Sequence, residues 1–250
     1  MKEEILYGIN SVTEALRGKR RAFELFVSRD ASDRRMEKLL KLAAEKGVSV
    51  RHRDKRDIGR LCGTEHHQGV ALRLEGFPYA EVADILAAWR EAGEDGLILV
   101  LDGVQDPHNL GALIRSAACA GAHGVIIPKD RAARVTATVE KSAAGAAETI
   151  PVAQVTNLAQ ALDELKEAGF WIYGTADSAA TSLYDQDLSG NVVVVIGGEG
   201  EGVRPLVRKK CDFLVAIPLR GGVSSLNASV AGGVFLFEAL RQRLASTHQN

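Results

Sequence analysis

Three apolar, strand-like runs in the part of this chain beyond residue 95 each lead directly into a loop of glycines and small polar residues. In α/β proteins, a tight loop between a buried strand and a helix presents backbone N–H groups and a few polar side chains at one edge of the sheet, where small ligands bind. Three such loops predict one composite binding site. The run-and-loop segments are residues 96–109, 191–202 and 214–227.

The rest of the chain beyond residue 95 alternates between apolar strands and amphipathic helices, which predicts an α/β fold with a mostly parallel sheet. Asp106 and Pro107 indicate a turn, and Asn109 is predicted to cap the helix that follows. Ser225 or Asn227 is predicted to cap the last helix. Strands are expected at residues 97–101, 124–127, 150–152, 170–174, 192–196 and 214–217.

The helix after the first loop carries Arg115 among small residues such as Gly111 and Ser116. Small residues let a helix pack closely, so a charge in their midst is unusual for a purely structural helix. Two interpretations stay open. Arg115 is either a surface arginine on a capped helix or an arginine aimed at phosphate or ribose near the strand end.

The second loop, residues 197–202, differs from the common nucleotide loops. It does not match the phosphate-binding GxxxxGK[ST] pattern, and it lacks the spacing and downstream acid of a dinucleotide fingerprint. Glu199 and Glu201 oppose a pyrophosphate but suit the hydroxyl and amine groups of a nucleoside. A nicotinamide-dependent oxidoreductase is therefore a weak alternative. No GxSxG elbow supports a serine nucleophile.

The first part of the chain is basic, whereas the remainder is acidic. Residues 1–60 contain 16 Lys and Arg against 10 Asp and Glu, and residues 61–250 contain 15 against 22. This asymmetry indicates either a module that meets a polyanion or a solvated helical surface. The candidates for contacts with such a polyanion are Lys19, Arg20, Arg21, Arg51, Arg53 and Arg56.

Cysteine and histidine spacing argues against a disulfide framework and a metal site. Cys62, Cys119 and Cys211 lie far apart, and His66 and His67 are adjacent, which indicates a loop. No apolar run approaches the roughly 20 residues of a membrane span, and the first residues contain no secretory apolar region. We expect a cytoplasmic protein with no metal and no membrane partner.

The three loops together resemble the three motifs of the SpoU/TrmH family of RNA ribose 2′-O-methyltransferases. The matching segments are residues 109–115, 196–202 and 217–231, in the family's order. Residues 7–16 resemble the start of the L30e-like domain that precedes the catalytic domain in some members. Within the family, the chain is most similar to members that methylate a guanosine of large-subunit ribosomal RNA.

The resemblance implies three parts: an L30e-like RNA substrate-binding domain at residues 1–75, a linker at 76–95, and a trefoil-knotted SPOUT methyltransferase domain at 96–250. It also implies S-adenosyl-L-methionine (SAM) as methyl donor and a homodimer. The implied cofactor-binding residues are Gly174, Thr175, Gly197, Gly198, Ile217 and Leu226. The implied catalytic and ribose-binding residues are Asn109, Arg115, Glu199, Ser225 and Asn227.

The resemblance further implies transfer of a methyl group to a ribose 2′-OH of 23S rRNA, as naked RNA or in a pre-ribosomal particle. Arg115 is the candidate for activating this hydroxyl, as an electrostatic stabiliser of the developing alkoxide or as a proton acceptor. The alternatives are a 2′-O-methyltransferase for tRNA or another rRNA site, and a non-catalytic RNA-binding assembly factor.

Overall fold

A computed structural model describes residues 3–18, 20–29, 34–177, 179–222 and 224–247. The chain divides into two compact units. The first contains the described residues up to Pro78 together with Val135–Thr149, and the second contains Tyr79–Arg134 and the described residues from Ile150 onward. No helix in the described ranges is long and apolar enough to cross a membrane.

The first unit is built on a four-stranded sheet in the order β1-β4-β2-β3, in which only β2 and β3 pair in parallel. Apolar side chains of the strands and of the first two helices form its main core. The strands are β1 (Glu3–Tyr7), β2 (Ala22–Ser28), β3 (Ser49–Arg53) and β4 (Val70–Glu75). The helices are α1 (Ile9–Arg17), α2 (Arg34–Glu45) and α3 (Lys55–Cys62).

The remaining elements alternate along the chain as the sequence predicts. The helices are α4 (Val82–Ala92), α5 (Pro107–Cys119), α6 (Ala137–Ser142), α7 (Leu158–Glu167), α8 (Pro205–Arg208) and α9 (Ala228–Thr247). The strands are β5 (Leu97–Asp102), β6 (Gly124–Pro128), β7 (Val152–Val155), β8 (Trp171–Thr175), β9 (Thr181–Ser182), β10 (Val192–Gly197) and β11 (Phe213–Ala216).

The second unit contains a seven-stranded sheet in the order β7-β6-β5-β10-β8-β11-β9, and all of its strand pairs are parallel. The central strands β5 and β10 are buried along their whole length. This architecture confirms the predicted α/β class with a mostly parallel sheet. The trefoil knot implied by the resemblance stays a prediction.

The two units differ from the expected division of the chain in two places. Helix α4 lies in the expected linker, yet Val82 and Ile85 are buried in the same core as Ile98 and Val100 of β5. Segment Val135–Thr149, expected within the catalytic domain, belongs to the first unit. Burial of the apolar face of α4 accounts for the first difference, and an ion-pair cluster stabilises the second.

That cluster surrounds Arg20, whose side chain is 3% exposed. Its guanidinium donates to both carboxylate oxygens of Glu140 at 3.1 Å, to Glu148 at 2.6 Å and to Glu4 at 3.1 Å. Burial raises the pKa of Glu140 to about 7, against the attraction of Arg20. The expectation that Arg20 binds RNA phosphates is therefore wrong, because carboxylates of its own unit surround its guanidinium.

We expect Arg20→Met to lower the free energy of unfolding by about 3–5 kcal/mol, because it leaves buried carboxylates without a counter-charge. The neighbouring exposed Arg21 provides the control, and Arg21→Met should change stability by about 0.5 kcal/mol or less. Urea denaturation followed by circular dichroism measures both. Equal midpoints for the two variants would contradict the buried-charge assignment.

Candidate active site

The strands of the second unit carry their following loops to one edge of the sheet, because parallel strands share their direction. An open cavity of about 750 Å³ lies at this edge, between the second and third glycine loops. The predicted site residues that line it are Thr175, Gly197, Gly198, Glu199, Ile217, Ser225, Leu226 and Asn227. The structure thus brings together segments that are separated by up to about fifty residues of sequence.

Gly174 is the one predicted cofactor residue that does not line this cavity. It lies within β8, where a side-chain Cβ would be 2.6 Å from the sulfur of Cys211. Close packing against Cys211 explains the absence of a side chain at this position.

Three polar side chains from the three loops form a hydrogen-bonded trio. Asn109 donates its amide to Glu199 Oε1 at 2.8 Å, and Asn227 donates to the same oxygen at 3.0 Å. Asn227 also donates to Asn109 Oδ1 at 3.1 Å. Because each member contacts the other two, the Glu199 carboxylate is held in one orientation at the cavity wall.

Asn109 is available to the trio because another residue caps its helix. The expectation that Asn109 is the N-cap of α5 is wrong. Asp106 is the N-cap, its side chain accepts from the backbone N–H of His108, and Pro107 occupies the first helical position. Asn109 therefore sits inside the first turn, where its side chain is buried and reaches Glu199.

Asn227 both begins α9 and contributes to the trio. Its Oδ1 accepts from the backbone N–H groups of Ser229 and Val230 and from the Ser229 hydroxyl. This confirms the predicted capping role for Asn227. Because the oxygen is committed to the helix, the amide nitrogen must point toward Asn109 and Glu199.

The loop after β10 approaches other backbone so closely that only glycine fits. A Cβ at Gly197 would lie 2.1 Å from the carbonyl carbon of Gly202, and one at Gly198 would lie 2.4 Å from the carbonyl oxygen of Gly103. Gly200 has φ of +85°, a conformation that side chains rarely adopt. The glycines therefore allow the loop to fold back on itself and expose backbone to the cavity.

An ion pair that was not predicted from the sequence holds this loop to the sheet. Asp102, the last residue of β5, is fully buried and accepts from the Arg204 backbone N–H at 2.7 Å and from its Nε at 2.6 Å. The sequence contained one signal for this pair. Asp102 ends an otherwise apolar strand, and a buried carboxylate requires a partner.

Arg115 lies apart from the trio. It is exposed on α5, lines neither the large cavity nor the smaller one beside it, and makes no hydrogen bond or ion pair with the residues that the structure describes. Within one chain, both interpretations of Arg115 given above therefore stay open.

The remaining predicted RNA contacts lie in the first unit. Arg21, Arg51, Arg53 and Arg56 are exposed, and Arg51 forms an ion pair with Glu24. Lys19 lies outside the described residues. Across the described ranges, no group of three His, Cys, Asp or Glu side chains is arranged to hold a metal ion.

Comparison with known proteins identifies the family. Residues 96–237 match the SpoU rRNA methylase family, and residues 5–80 match the RNA 2′-O ribose methyltransferase substrate-binding domain. The chain belongs to the SpoU rRNA methylase family. It is 48% identical over 243 residues to the 23S rRNA (guanosine-2′-O-)-methyltransferase RlmB of Ralstonia nicotianae, covering 97% of each chain. The Xanthomonas campestris protein of the same name is 45% identical, with 96% and 97% coverage.

Solved structures of the family share this fold. The SpoU methyltransferase AviRb from Streptomyces viridochromogenes, in complex with AdoMet, is 26% identical with a TM-score of 0.82, covering 97% of this chain and 91% of that one. The A. aeolicus TrmH/SpoU tRNA modifying enzyme is 30% identical with a TM-score of 0.56, covering 66% of this chain and 86% of that one.

We expect Gly197→Ala to destabilise the protein by about 1–3 kcal/mol, because the added methyl group would overlap the backbone of Gly202. Gly190→Ala is the matched control, since a Cβ at Gly190 meets nothing within 4 Å. Thermal denaturation of both variants measures the difference. If Gly197→Ala were as stable as Gly190→Ala, the close approach described above would be wrong.

Proposed function

We propose that this protein transfers the methyl group of SAM to the ribose 2′-OH of a guanosine in 23S rRNA. The observation that carries the proposal is the trio of Asn109, Glu199 and Asn227 at the wall of a glycine-lined cavity. The near full-length similarity to proteins named 23S rRNA guanosine methyltransferases supports this choice of substrate.

The residues of the large cavity fit SAM better than a phosphorylated nucleotide. Its volume is in the range of small-ligand sites, and its walls include the carboxylates of Asp177, Glu199 and Glu201. These negative charges would repel a pyrophosphate, whereas SAM carries an amino group and a positively charged sulfur. Arg208, also in the lining, is suited to its carboxylate. The backbone around Gly197, Ile217 and Leu226 would hold the adenosine.

When bound, SAM supplies an already activated methyl group, so the protein's task is to position and activate the ribose hydroxyl. Two amide groups donate hydrogen bonds to Glu199 Oε1, whereas no donor in the described parts of the chain reaches Oε2. Oε2 can therefore accept a ribose hydroxyl. Two amides hold the carboxylate in advance, which reduces the reorganisation needed in the transition state.

We assign Arg115 to stabilising the negative charge that develops on the 2′-oxygen. A guanidinium is a poor proton acceptor but a strong hydrogen-bond donor to an oxyanion. The proton-acceptor role is the alternative. Because Arg115 lies outside both cavities of the single chain, the assignment requires approach of RNA or of a second protomer.

An exposed apolar stripe on α9 supports a homodimer. Val230, Phe237 and Leu244 recur every seven residues, so they share one helix face, and each is about half exposed. Large exposed apolar patches are uncommon on monomeric proteins. Helix α5, which carries Arg115, packs on α9, since a Cβ at Gly233 would be 3.9 Å from Ser116 Oγ. We infer that a second copy covers this stripe.

The first unit is proposed to bind the RNA substrate. Its exposed arginines, Arg21, Arg51, Arg53 and Arg56, can contact phosphates and would make RNA affinity depend on salt. Residues 1–75 would thus act as the substrate-binding domain and residues 96–250 as the methyltransferase domain. A pre-ribosomal particle in the cytoplasm is the proposed setting, because rRNA is modified during assembly.

The decisive experiment is transfer of labelled methyl from SAM to unmodified 23S rRNA, followed by digestion and mass spectrometry of the nucleosides. We expect a single 2′-O-methylguanosine. Methylation of unmodified tRNA instead would favour the tRNA-directed alternative, which the similarity to a tRNA modifying enzyme raises. No methylation of rRNA, tRNA or pre-ribosomal particles would favour a non-catalytic RNA-binding factor.

We expect Arg115→Ala to lower the methyl-transfer rate by about 10²-fold or more while leaving the SAM dissociation constant unchanged, because the arginine acts on the oxyanion and lies outside the large cavity. Arg115→Lys should recover part of the rate, since it keeps the charge. Single-turnover kinetics and calorimetry measure the two quantities. Weaker SAM binding with an unchanged transfer rate would contradict the assignment.

A further inference from the structure

A second cavity, of about 420 Å³, adjoins the large one across the trio. Asn109 lines the smaller cavity, Asn227 lines the larger, and Glu199 lines both. The remaining walls of the smaller cavity come mainly from the loop after β5, from the loop after β10 and from Arg131 in the loop after β6. The loop after β10 contributes Gly198, Glu201, Gly202 and Arg204. Of the predicted cofactor residues, only Gly198 contributes to it.

Methyl transfer requires the attacking oxygen and the methyl group to meet in line. The cofactor residues lie on the Asn227 side of Glu199, so the ribose has to reach Glu199 from the Asn109 side. We propose that the smaller cavity holds the guanosine nucleotide that is methylated, with Arg131 on a phosphate and Asp106 on the base. This inference rests on the proposed function and names the residues that would bind its substrate.

Arg131 is suited to a phosphate because its side chain has no partner among the residues that the structure describes. It is exposed at the cavity and makes no hydrogen bond or ion pair with any residue in the described ranges. Its backbone is left-handed, with φ of +57°. Non-glycine residues in this conformation are uncommon and concentrate at functional sites. The hydrogen bond from Ala133 N–H to Val104 O, at 2.9 Å, fixes the loop to the first glycine loop.

The second arginine of this cavity, Arg204, is already paired with a carboxylate of the protein. Its Nε and Nη2 both lie 2.6 Å from Asp102 Oδ1, so its charge is balanced by a buried carboxylate. Arg131 is consequently the arginine of the cavity whose guanidinium is available to an anion. Such a group binds RNA phosphates through paired, charge-assisted hydrogen bonds.

Asp106 is suited to reading guanine. One carboxylate oxygen, Oδ1, caps α5, and the side chain is exposed at the cavity wall. An ionised carboxylate only accepts hydrogen bonds. Guanine is the only one of the four RNA bases that presents two adjacent N–H donors on its Watson–Crick edge, the edge that proteins commonly read in unpaired RNA. An adenine or a cytosine in this place would put an unprotonated ring nitrogen against Asp106.

The first test compares Arg131→Gln with the control Arg134→Gln. Arg134 is also an exposed arginine, but it lines neither cavity. Binding of a 23S rRNA transcript is measured at several salt concentrations. We expect Arg131→Gln to weaken binding about three- to tenfold and to reduce the salt slope by about 1. Arg134→Gln should bind as the wild type does, and both should bind SAM normally.

Equal RNA affinity and equal salt slope for the two variants would overturn the assignment of Arg131. The wild type is assayed for methyl transfer alongside them. If only Arg131→Gln weakened RNA binding and the wild type transferred no methyl group, the proposed reaction would be overturned and the RNA site retained. Equal affinities with an active wild type would overturn the RNA site alone.

The second test uses transcripts in which the methylated guanosine is replaced by inosine, which lacks the 2-amino donor. The wild type should lose about tenfold or more in kcat/KM on inosine. Asp106→Asn keeps a capping side chain but should reduce this preference to below about threefold. Asp130→Asn, an exposed residue outside both cavities, should keep the wild-type preference. An unchanged preference in Asp106→Asn would overturn its role in reading the base.

Discussion

The candidate site depends on one buried carboxylate. Asp102 ends a central strand, its side chain is inaccessible to solvent, and it accepts both the backbone N–H and the guanidinium of Arg204. A charge in such a position is costly unless it is paired and hydrogen-bonded, so the pairing ties the far end of the second glycine loop to the sheet. The near end of that loop continues directly from β10, beside β5. Held at both ends, the loop presents Glu199 at a defined place.

Glycine packing and side-chain hydrogen bonds then shape the site. The loop closes because Gly197 and Gly198 lie against backbone that would collide with a Cβ. Glu199 receives two amide donors from two other loops, which converts an exposed and flexible carboxylate into a positioned acceptor. Such preorganisation suits a reaction whose methyl donor is already activated, because orientation supplies much of the rate. The trio also lies between the two cavities, since Asn109 lines one, Asn227 lines the other and Glu199 lines both.

The arginines of the first unit fall into two groups, one buried and one exposed. Arg20 and Arg21 are adjacent in sequence, yet one is enclosed by the carboxylates of Glu4, Glu140 and Glu148 and the other is exposed. The buried arginine fixes the segment around Glu140 to this unit, although that segment lies more than a hundred residues later in the chain. The exposed arginines are available to phosphates. The charge asymmetry of the sequence agrees with a polyanionic partner, and burial decided which of these arginines stay exposed to solvent.

The sequence by itself determined the α/β class and most helices and strands of the second unit, because buried strands and glycine loops leave strong local patterns. The three residues of the trio were among the five catalytic and ribose-binding residues that the family resemblance implied. It did not predict β1 or α3, where charged residues and a glycine weaken those patterns. Only the tertiary structure decided that Asp106 caps α5, that Asp102 pairs with Arg204, that Arg20 is buried, and that Arg131 faces a cavity. The Asp106 cap is a local contact with His108, which was assigned to the wrong residue from the sequence. The other three outcomes depend on contacts between residues distant in sequence and on which polar groups lose their water, and neither is encoded in local spacing.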